Sequence, residues 1–294
     1  MMHQAFKVAR RGILQGFAAM LAAGCKPQSS WLAARATSAR GVKWIPFYGE
    51  SADEQTLSAY DLVVLDPTFK GSKTAITQAG ARICGYLSLA EIRTADAVYA
   101  RLDPAARLDE NPAWPGTRRI DIRHKSWTDL VVTDIVPAII AAGFTGLLLD
   151  TLDTPPYLER QNPDAYHGMR HAAIELVRTI RRANPTILLI MNRGYDLLPD
   201  VAGNLDAVVA ESLLTAPDEV CHYKRNTEAE INAQLSLLAP IQRGNLRLPI
   251  LSLDYWEPED VGTIRQIYSQ ERQLGHHPYV ATRMLDTIIQ EPII

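Results

Sequence analysis

The segment GFTGLLLDTLDTPP, Gly143 to Pro156, contains the pattern that decides the fold. Three leucines after a small residue are typical of a strand that is buried on both faces, as the strands of parallel sheets are. This run ends at a carboxylate, Asp150, and a second carboxylate, Asp153, follows closely. A carboxylate at the end of a buried strand must either be exposed to solvent or have a function there, so Asp150 is the first candidate functional residue.

Similar apolar runs recur through the chain. The eight runs that we interpret as strands cover residues 43–49, 61–66, 81–89, 145–150, 186–192, 206–212, 248–254 and 278–284. Helical patterns separate most of them, and this alternation predicts a parallel sheet. Residues 42–294 also have about the length of one (β/α)₈ barrel, roughly 250 residues. We therefore predict one α/β domain, a TIM barrel, with a ninth run at 118–123 in an excursion after the third strand.

Local signals predict several helix boundaries. Asn162 with Pro163 is expected to open a helix that runs to Ala183, and Thr227 with Glu230 forms a capping box. Pro137 falls inside the helix that precedes the opening segment, where it should kink or divide that helix because it removes a backbone donor.

The amino terminus predicts export. Residues 1–24 begin with basic residues and continue through an uncharged apolar stretch, which is typical of a signal peptide and too short for a membrane span. The sequence LAAGC, Leu21–Cys25, resembles a bacterial lipobox, so Cys25 is the predicted lipidation site, and RRGIL, Arg10–Leu14, resembles a twin-arginine signal. Residues 25–41 are interpreted as a tether. We expect a lipoprotein anchored on the periplasmic or cell-surface side, or else an ordinary secreted protein.

Composition excludes some classes of function. The chain has 30 basic and 33 acidic residues and a net charge of -3, so it lacks the basic excess of a nucleic-acid-binding protein. Its three cysteines, Cys25, Cys84 and Cys221, are too scattered for a disulfide framework or a zinc site. No metal and no cofactor is expected.

Polar residues end several of the predicted strands. They are Asp66, Asp150, Asn192, Glu211 and Asp254, with Ser88 and Glu91 at the end of another run. Any one of them alone is more often a helix cap or a loop carboxylate. All carboxyl ends of a parallel barrel lie on one face, however, and active sites of this fold are found there. The pattern therefore predicts an acidic cleft.

The motifs at these positions resemble a known family. They are FYG (47–49), VVLDP (63–67), GYLSLAE (85–91), WPG with IDIR (114–123), GFTGLLLDTLD (143–153), IMNRG (190–194) and VAES (209–212). In this order they resemble the motifs of glycoside hydrolase family 114, the endo-α-1,4-polygalactosaminidase group, although Ala90 stands where that family has glycine. The resemblance implies a secreted TIM barrel with acidic catalytic residues at the ends of the fourth and sixth strands. Those positions match Asp150 and Glu211.

Glycosidic cleavage fits this pair of residue types. One carboxylic acid protonates the leaving oxygen while a carboxylate attacks or stabilises the sugar centre, and no metal is required. The resemblance implies a retaining, endo-acting enzyme with Asp150 as nucleophile and Glu211 as acid/base, about 5 to 5.5 Å apart. Mutual repulsion should raise the pKa of one carboxyl group, and we expect this for Glu211.

Further residues are candidates for substrate binding. They are Tyr48, Asp66, Tyr86, Glu91, Asp153, Asn192, Asp254 and Tyr255. The aromatic rings, together with that of Trp256, either stack on sugars or pack in the core. An excess of carboxylates suits a cationic amino-sugar polymer of α-1,4-linked galactosamine units, without excluding a neutral glycan.

Two alternatives remain open at this point. A non-catalytic glycan-binding lipoprotein can use the same barrel, since a fold does not fix a function. A metal-assisted hydrolase can use the acidic residues as ligands, and EDTA would abolish the activity of such an enzyme but not that of a carboxylate pair.

Overall fold

The computed structural model describes residues 28–218, 222–243 and 248–292. The predicted signal peptide, residues 1–24, and the predicted lipidation site Cys25 lie outside these residues. In the described part of the chain, no helix combines the length and the apolar character needed to cross a membrane.

Eight parallel strands form the central sheet, and each lies largely within one of the eight predicted runs. In their order around the sheet they are β1 (Trp44–Phe47), β2 (Leu62–Leu65), β3 (Arg82–Ser88), β7 (Gly146–Asp150), β8 (Leu188–Asn192), β9 (Ala207–Glu211), β12 (Ile250–Tyr255) and β13 (His277–Ala281). The last strand returns to the first, where Trp44 Nε1 donates to the carbonyl oxygen of His277 at 2.8 Å. The predicted (β/α)₈ barrel is confirmed.

Among the described residues, five short strands lie outside the barrel. A three-stranded antiparallel sheet consists of β4 (Glu91–Arg93), β5 (Arg107–Glu110) and β6 (Thr117–Ile120), and a hairpin consists of β10 (Thr215–Pro217) and β11 (Tyr223–Arg225). The three-stranded sheet lies in the connection after β3, where the sequence predicted an excursion and a ninth strand.

The helices cover the outside of the barrel. They are α1 (Gln28–Ala36), α2 (Glu54–Ser58), α3 (Lys73–Gln78), α4 (Ala97–Arg101), α5 (Lys125–Leu130), α6 (Val136–Ala141), α7 (Thr154–Gln161), α8 (Pro163–Tyr166), α9 (Met169–Ala183), α10 (Leu198–Val201), α11 (Glu228–Arg243) and α12 (Val261–Gln273). Short 3₁₀ turns span Pro104–Ala106, Tyr195–Leu197 and Ala202–Asn204.

The opening segment is buried tightly against its neighbours. Leu147, Leu148 and Leu149 are at most 4% exposed, as expected for a strand covered on both faces. Gly146 leaves no room for a side chain, because a Cβ atom there would lie 2.6 Å from Cys84 Sγ on β3 and 2.6 Å from Leu188 Cβ on β8. This close approach fixes β7 between its two neighbours.

The helix signals are confirmed, with one exception. The Thr227 amide donates to Glu230 Oε2 at 2.7 Å and the Glu230 amide donates to Thr227 Oγ1 at 3.3 Å, which completes the capping box. Before Pro137, a π-helical turn at Val131–Ile135 divides the helix into α5 and α6. The single helix predicted from Asn162 to Ala183 is wrong, since Gly168 adopts a φ of +86° and separates α8 from α9.

The predicted tether, residues 25–41, is corrected by the structure. Helix α1 occupies residues 28–36 and packs on the barrel through Leu32, which is fully buried. Arg35 forms an ion pair with the buried Asp61, and the Trp31 ring lies 5.6 Å from the guanidinium of Arg82. The small and polar composition that suggested a tether is instead that of an alanine-rich helix with one anchoring face.

A buried ion pair between α9 and β9 offers a test of barrel stability. Asp206 accepts hydrogen bonds from Arg181 Nη2 and from the Leu189 amide, both at 2.7 Å, and its side chain is 2% exposed. Asp206→Ala is expected to lower the free energy of unfolding by about 3 to 5 kcal/mol, because it leaves a largely buried guanidinium without a counter-charge. Chemical denaturation measures the loss. Arg182→Ala removes an exposed pair on the same helix and should cost about 0 to 1 kcal/mol.

Candidate active site

Asp150 and Glu211 are the last residues of β7 and β9, and β8 lies between these strands. Asn192, the last residue of β8, connects them. Its Nδ2 donates to Asp150 Oδ1 at 2.9 Å and to Glu211 Oε2 at 2.6 Å. Since one nitrogen atom contacts both, these two oxygens lie no more than 5.5 Å apart.

Two tyrosines hold the other oxygen of each carboxylate. Tyr86 on β3 donates its hydroxyl to Asp150 Oδ2 at 2.8 Å, and Tyr255 on β12 donates to Glu211 Oε1 at 2.5 Å. The Tyr48 ring lies 5.0 Å from the Tyr86 ring. Burial, followed by the charges of the two carboxylates, raises the pKa of each tyrosine well above its usual range, so all three keep their protons.

The electrostatics of the pair are seen most clearly at Asp150. Burial, and then the charge of Glu211, raises the pKa of Asp150 to about 6, although the bonds from Tyr86 and Asn192 oppose the rise. The sequence analysis expected one raised pKa in the pair, and the structure shows a raised pKa for Asp150. The cause is desolvation at the end of β7, beside Tyr86, which disfavours the charged form of Asp150.

Three neighbouring strands leave the barrel mouth through the same unusual geometry. The residue that follows each of Asp150, Asn192 and Glu211 adopts a left-handed conformation. These residues are Thr151, Arg193 and Ser212, with φ of 63°, 50° and 55°. Non-glycine residues in this region carry strain, which accumulates at functional sites. Each barrel strand therefore changes direction immediately after Asp150, Asn192 or Glu211.

Thr151 fastens the end of β7 to the loop after β3. Its Oγ1 accepts hydrogen bonds from the amides of Ala90 at 2.9 Å and Leu89 at 3.2 Å, and lies 3.0 Å from Ser88 Oγ. Ala90, the departure from the family motif, is fully buried and does not have a positive φ, so this turn accommodates a methyl group.

Replacement of Thr151 tests this contact. Thr151→Ala leaves the amide of the buried Ala90 without an acceptor, while the Leu89 amide keeps its bond to the Asp150 carbonyl oxygen, so the change is expected to cost about 1 to 3 kcal/mol in the free energy of unfolding. Thr151→Ser keeps the hydroxyl and should retain most of the stability. Calorimetric unfolding of the two variants distinguishes the hydroxyl from the methyl group, and equal stability of both would refute the role of Oγ1.

A cleft of about 390 Å³ lies on the same barrel face beside the carboxylate pair. Asp150 and Glu211 do not line it, but its walls include the loops that begin directly after Asp150 and Asn192. The charged groups of its lining are balanced: they are the acids Glu91, Asp153 and Asp196 and the arginines Arg119, Arg160 and Arg193. This cleft is therefore one of mixed charge, and the carboxylate pair predicted at the strand ends lies beside it.

The acidic candidates occupy different environments. Glu91 is 6% exposed and accepts hydrogen bonds from Asn111 and Thr154, so it anchors the cleft wall. Asp153 is exposed, with Arg193 at 3.8 Å. Asp66 accepts hydrogen bonds from the amide and hydroxyl of Thr68, within its own turn.

Asp254 does not line the cleft, contrary to our expectation. It is fully buried and accepts hydrogen bonds from backbone amides. The reason is the alternation of side chains along a strand: Tyr255 faces the mouth, so its neighbour Asp254 points away from it.

Sequence reasoning missed several residues of the site. Asn111 and Arg119 carry no local signal, since they take part through contacts with distant segments. Thr151 and Arg193 directly follow Asp150 and Asn192 in strand-end motifs, and this position pointed to the barrel mouth.

A TIM barrel with a hydrogen-bonded carboxylate pair at the carboxyl ends of its strands has the architecture and the chemical groups of a glycoside hydrolase. The chain belongs to glycoside hydrolase family GH114, whose family model matches residues 26–292. The family resemblance seen in the sequence is thereby confirmed.

Individual relatives agree with this assignment. The glycoside hydrolase domain of PelA from Pseudomonas aeruginosa is 25% identical, with a TM-score of 0.73 over 84% of this chain and 96% of that domain. Aspergillus fumigatus Ega3, in a complex with galactosamine, is 14% identical, with a TM-score of 0.62 over 84% of this chain and 93% of Ega3, which shows a shared fold. An uncharacterized protein of Thermotoga maritima is 26% identical over 60% of this chain, and the match spans 57% of that protein.

Proposed function

We propose that this protein is a retaining, endo-acting glycoside hydrolase that cleaves an α-1,4-linked galactosamine polymer, with Asp150 as nucleophile and Glu211 as acid/base. The observation that carries the proposal is the shared contact of Asn192, which holds the facing oxygens of Asp150 and Glu211 no more than 5.5 Å apart. Retaining enzymes place their carboxyl groups about 5 to 5.5 Å apart, whereas inverting enzymes need about 6.5 to 9.5 Å to admit a water molecule.

The hydrogen bonds support the two roles. Asp150 accepts from Tyr86 and Asn192 through different oxygens, which orients a carboxylate for attack on the anomeric carbon. In the first step Glu211 gives its proton to the leaving oxygen while Asp150 forms the glycosyl–enzyme bond. In the second step Glu211 takes a proton from water, and that water displaces Asp150.

The choice of sugar rests on the relatives. Ega3, whose structure contains galactosamine, shares the fold, and the family resemblance points to polygalactosaminidases. An ammonium group on the bound sugar would be attracted by the Asp150–Glu211 pair. The side cleft gives no such preference, because its three arginines offset its three acids.

Cleavage of defined oligosaccharides tests the function. Purified protein is incubated with α-1,4-linked galactosamine oligomers, and mass spectrometry and NMR follow the product lengths and the first anomer released. We expect internal cleavage, an initial α-anomer and no loss of activity with EDTA. A β-anomer would refute retention, and loss of activity with EDTA would favour the metal-assisted alternative. Binding without cleavage would favour the non-catalytic glycan-binding lipoprotein.

Membrane attachment through Cys25 is the second part of the proposal, based on the lipobox-like sequence. Cys25→Ser is expected to move the protein from the detergent phase of a phase-partition experiment to the aqueous phase, since an acylated lipoprotein depends on its chains for stable anchoring. Metabolic labelling with an alkyne fatty acid provides the control. Unchanged partitioning of the variant would contradict lipidation at Cys25 and leave ordinary secretion.

A further inference from the structure

A buried polar network lies behind the carboxylate pair, between β12 and the outer helices. Its members are Asp254 on β12, Glu271 on α12, His276 before β13 and Gln242 on α11. Asp254 and Glu271 are fully buried and His276 is 3% exposed. No step of the proposed chemistry uses these groups, so the reason for keeping two carboxyl groups away from water lies elsewhere.

Asp254 holds the loop that follows Glu211. Its Oδ1 accepts hydrogen bonds from the amides of Leu214 and Thr215, both at 2.8 Å. Thr215 Oγ1 in turn accepts from the Tyr255 amide at 3.2 Å. The loop after Glu211 is therefore fixed to the strand that carries Tyr255, the residue whose hydroxyl contacts Glu211.

The same loop is fastened at its first residue. Ser212, in its left-handed conformation, donates its amide to the carbonyl oxygen of Leu253 at 2.8 Å. Together with the Asp254 bonds, this contact fixes the direction in which Glu211 leaves β9. A loop with a strained residue keeps that geometry only while the surrounding contacts hold it.

The rest of the network keeps Asp254 neutral. Burial, and then the charge of Glu271, raises the pKa of Asp254 well above its usual range, and burial raises the pKa of Glu271 to about 7. Asp254 Oδ2 has no N–H or O–H donor among the described residues, whereas as a protonated carboxyl it donates to Glu271. Glu271 Oε2 also lies 2.6 Å from His276 Nδ1, and burial lowers the pKa of His276 to about 4.

We propose that Asp254 is a positioning residue for the acid/base: through Leu214 and Thr215 it holds Glu211 and Tyr255 in their hydrogen-bonded arrangement, with Glu271 as the partner that orients its carboxyl group. The inference rests on the proposed function for its kinetic readout. It concerns a group that never contacts the sugar.

Two substitutions at Asp254 separate loss of its hydrogen bonds from replacement of the carboxyl group. Asn keeps an oxygen for the two amides and supplies an N–H to Glu271 in place of the carboxyl proton, so kcat of Asp254→Asn should stay within about threefold of the wild type. Asp254→Ala removes the acceptor of the Leu214 and Thr215 amides. Since a misplacement of about 1 Å in a catalytic group costs up to about a hundredfold, kcat should fall by about ten- to a hundredfold with KM nearly unchanged.

Ser252→Ala is the matched control. Ser252 is fully buried on the same face of β12, two residues before Asp254, and its hydroxyl makes no hydrogen bond to the loop after Glu211 among the described residues. It should lower the melting temperature without lowering kcat. If Asp254→Asn loses as much activity as Asp254→Ala, or if Asp254→Ala keeps full kcat, the positioning role is wrong.

Crystal structures of the two Asp254 variants provide a readout that does not depend on activity. The hydrogen bond from the Tyr255 hydroxyl to Glu211 should persist in Asp254→Asn and lengthen or break in Asp254→Ala. Should Asp254→Ala fail to fold, Thr215→Val removes the acceptor of the Tyr255 amide at nearly constant volume and should likewise displace Tyr255. An unchanged bond would overturn the inference even for an active enzyme. A different result would refute the proposed function alone: the wild type cleaves none of the oligosaccharides, but the crystal structures of the Asp254 variants show the expected change in the Tyr255–Glu211 bond.

Discussion

Asp150→Asn and Glu211→Gln are each expected to lower kcat/KM on the galactosamine polymer by a factor of at least about 10² to 10⁴, the range for loss of a positioned acid or base. The changes replace one oxygen by a nitrogen at nearly constant volume, so the fold should persist. Initial rates measured with a fixed concentration of folded protein give the comparison.

Asp66→Asn is the matched control for this pair. Asp66 also follows a barrel strand, but its carboxylate is bonded to Thr68 within its own turn. Its replacement should change kcat/KM by less than about threefold, as is usual for a solvated loop carboxylate. Normal turnover by Glu211→Gln would remove the assignment of the pair.

The pH profile is expected to show which carboxyl group attacks. With a pKa of about 6, Asp150 must lose its proton before it acts as nucleophile. We therefore expect kcat/KM to fall about tenfold for each pH unit below 6. If Asp150 were instead the acid, activity would fall above pH 6, so the direction of this limb separates the two role assignments.

The ionisation of Asp150 that activates the enzyme should also lower the stability of the fold. The pKa of Asp150 is raised above its unfolded value of about 3.9, so its favourable contribution is complete below that pH and is lost as the pH rises through about 6. Asp150→Asn should therefore melt at a higher temperature than the wild type at pH 7.5, and the difference should shrink by pH 4. A constant difference would contradict the raised pKa.

The cleft beside the carboxylate pair has mixed charge. Its lining includes three arginines and three acids: Arg119, Arg160 and Arg193 with Glu91, Asp153 and Asp196. On the function we propose, the attraction for a cationic polymer lies at the Asp150–Glu211 pair and not along the cleft.

The sequence by itself determined the barrel fold and the position of the candidate site at the carboxyl ends of its strands. Each strand is a local apolar run, and in a parallel barrel the ends of all strands share one face, so Asp150, Asn192 and Glu211 could be placed together without coordinates. The capping box at Thr227 was equally local, because both of its partners lie within one helical turn.

Tertiary structure alone decided which further groups surround the carboxylate pair. Side-chain alternation on β12 turns Tyr255 toward Glu211 and Asp254 away from it. A strand that is apolar on both faces does not reveal from its sequence which of its side chains face the site. The contacts of Thr151 and the arginines of the cleft come from segments far apart in the chain. The raised pKa of Asp150 follows from its burial beside Tyr86, which is a property of the assembled barrel mouth and of no local stretch of sequence.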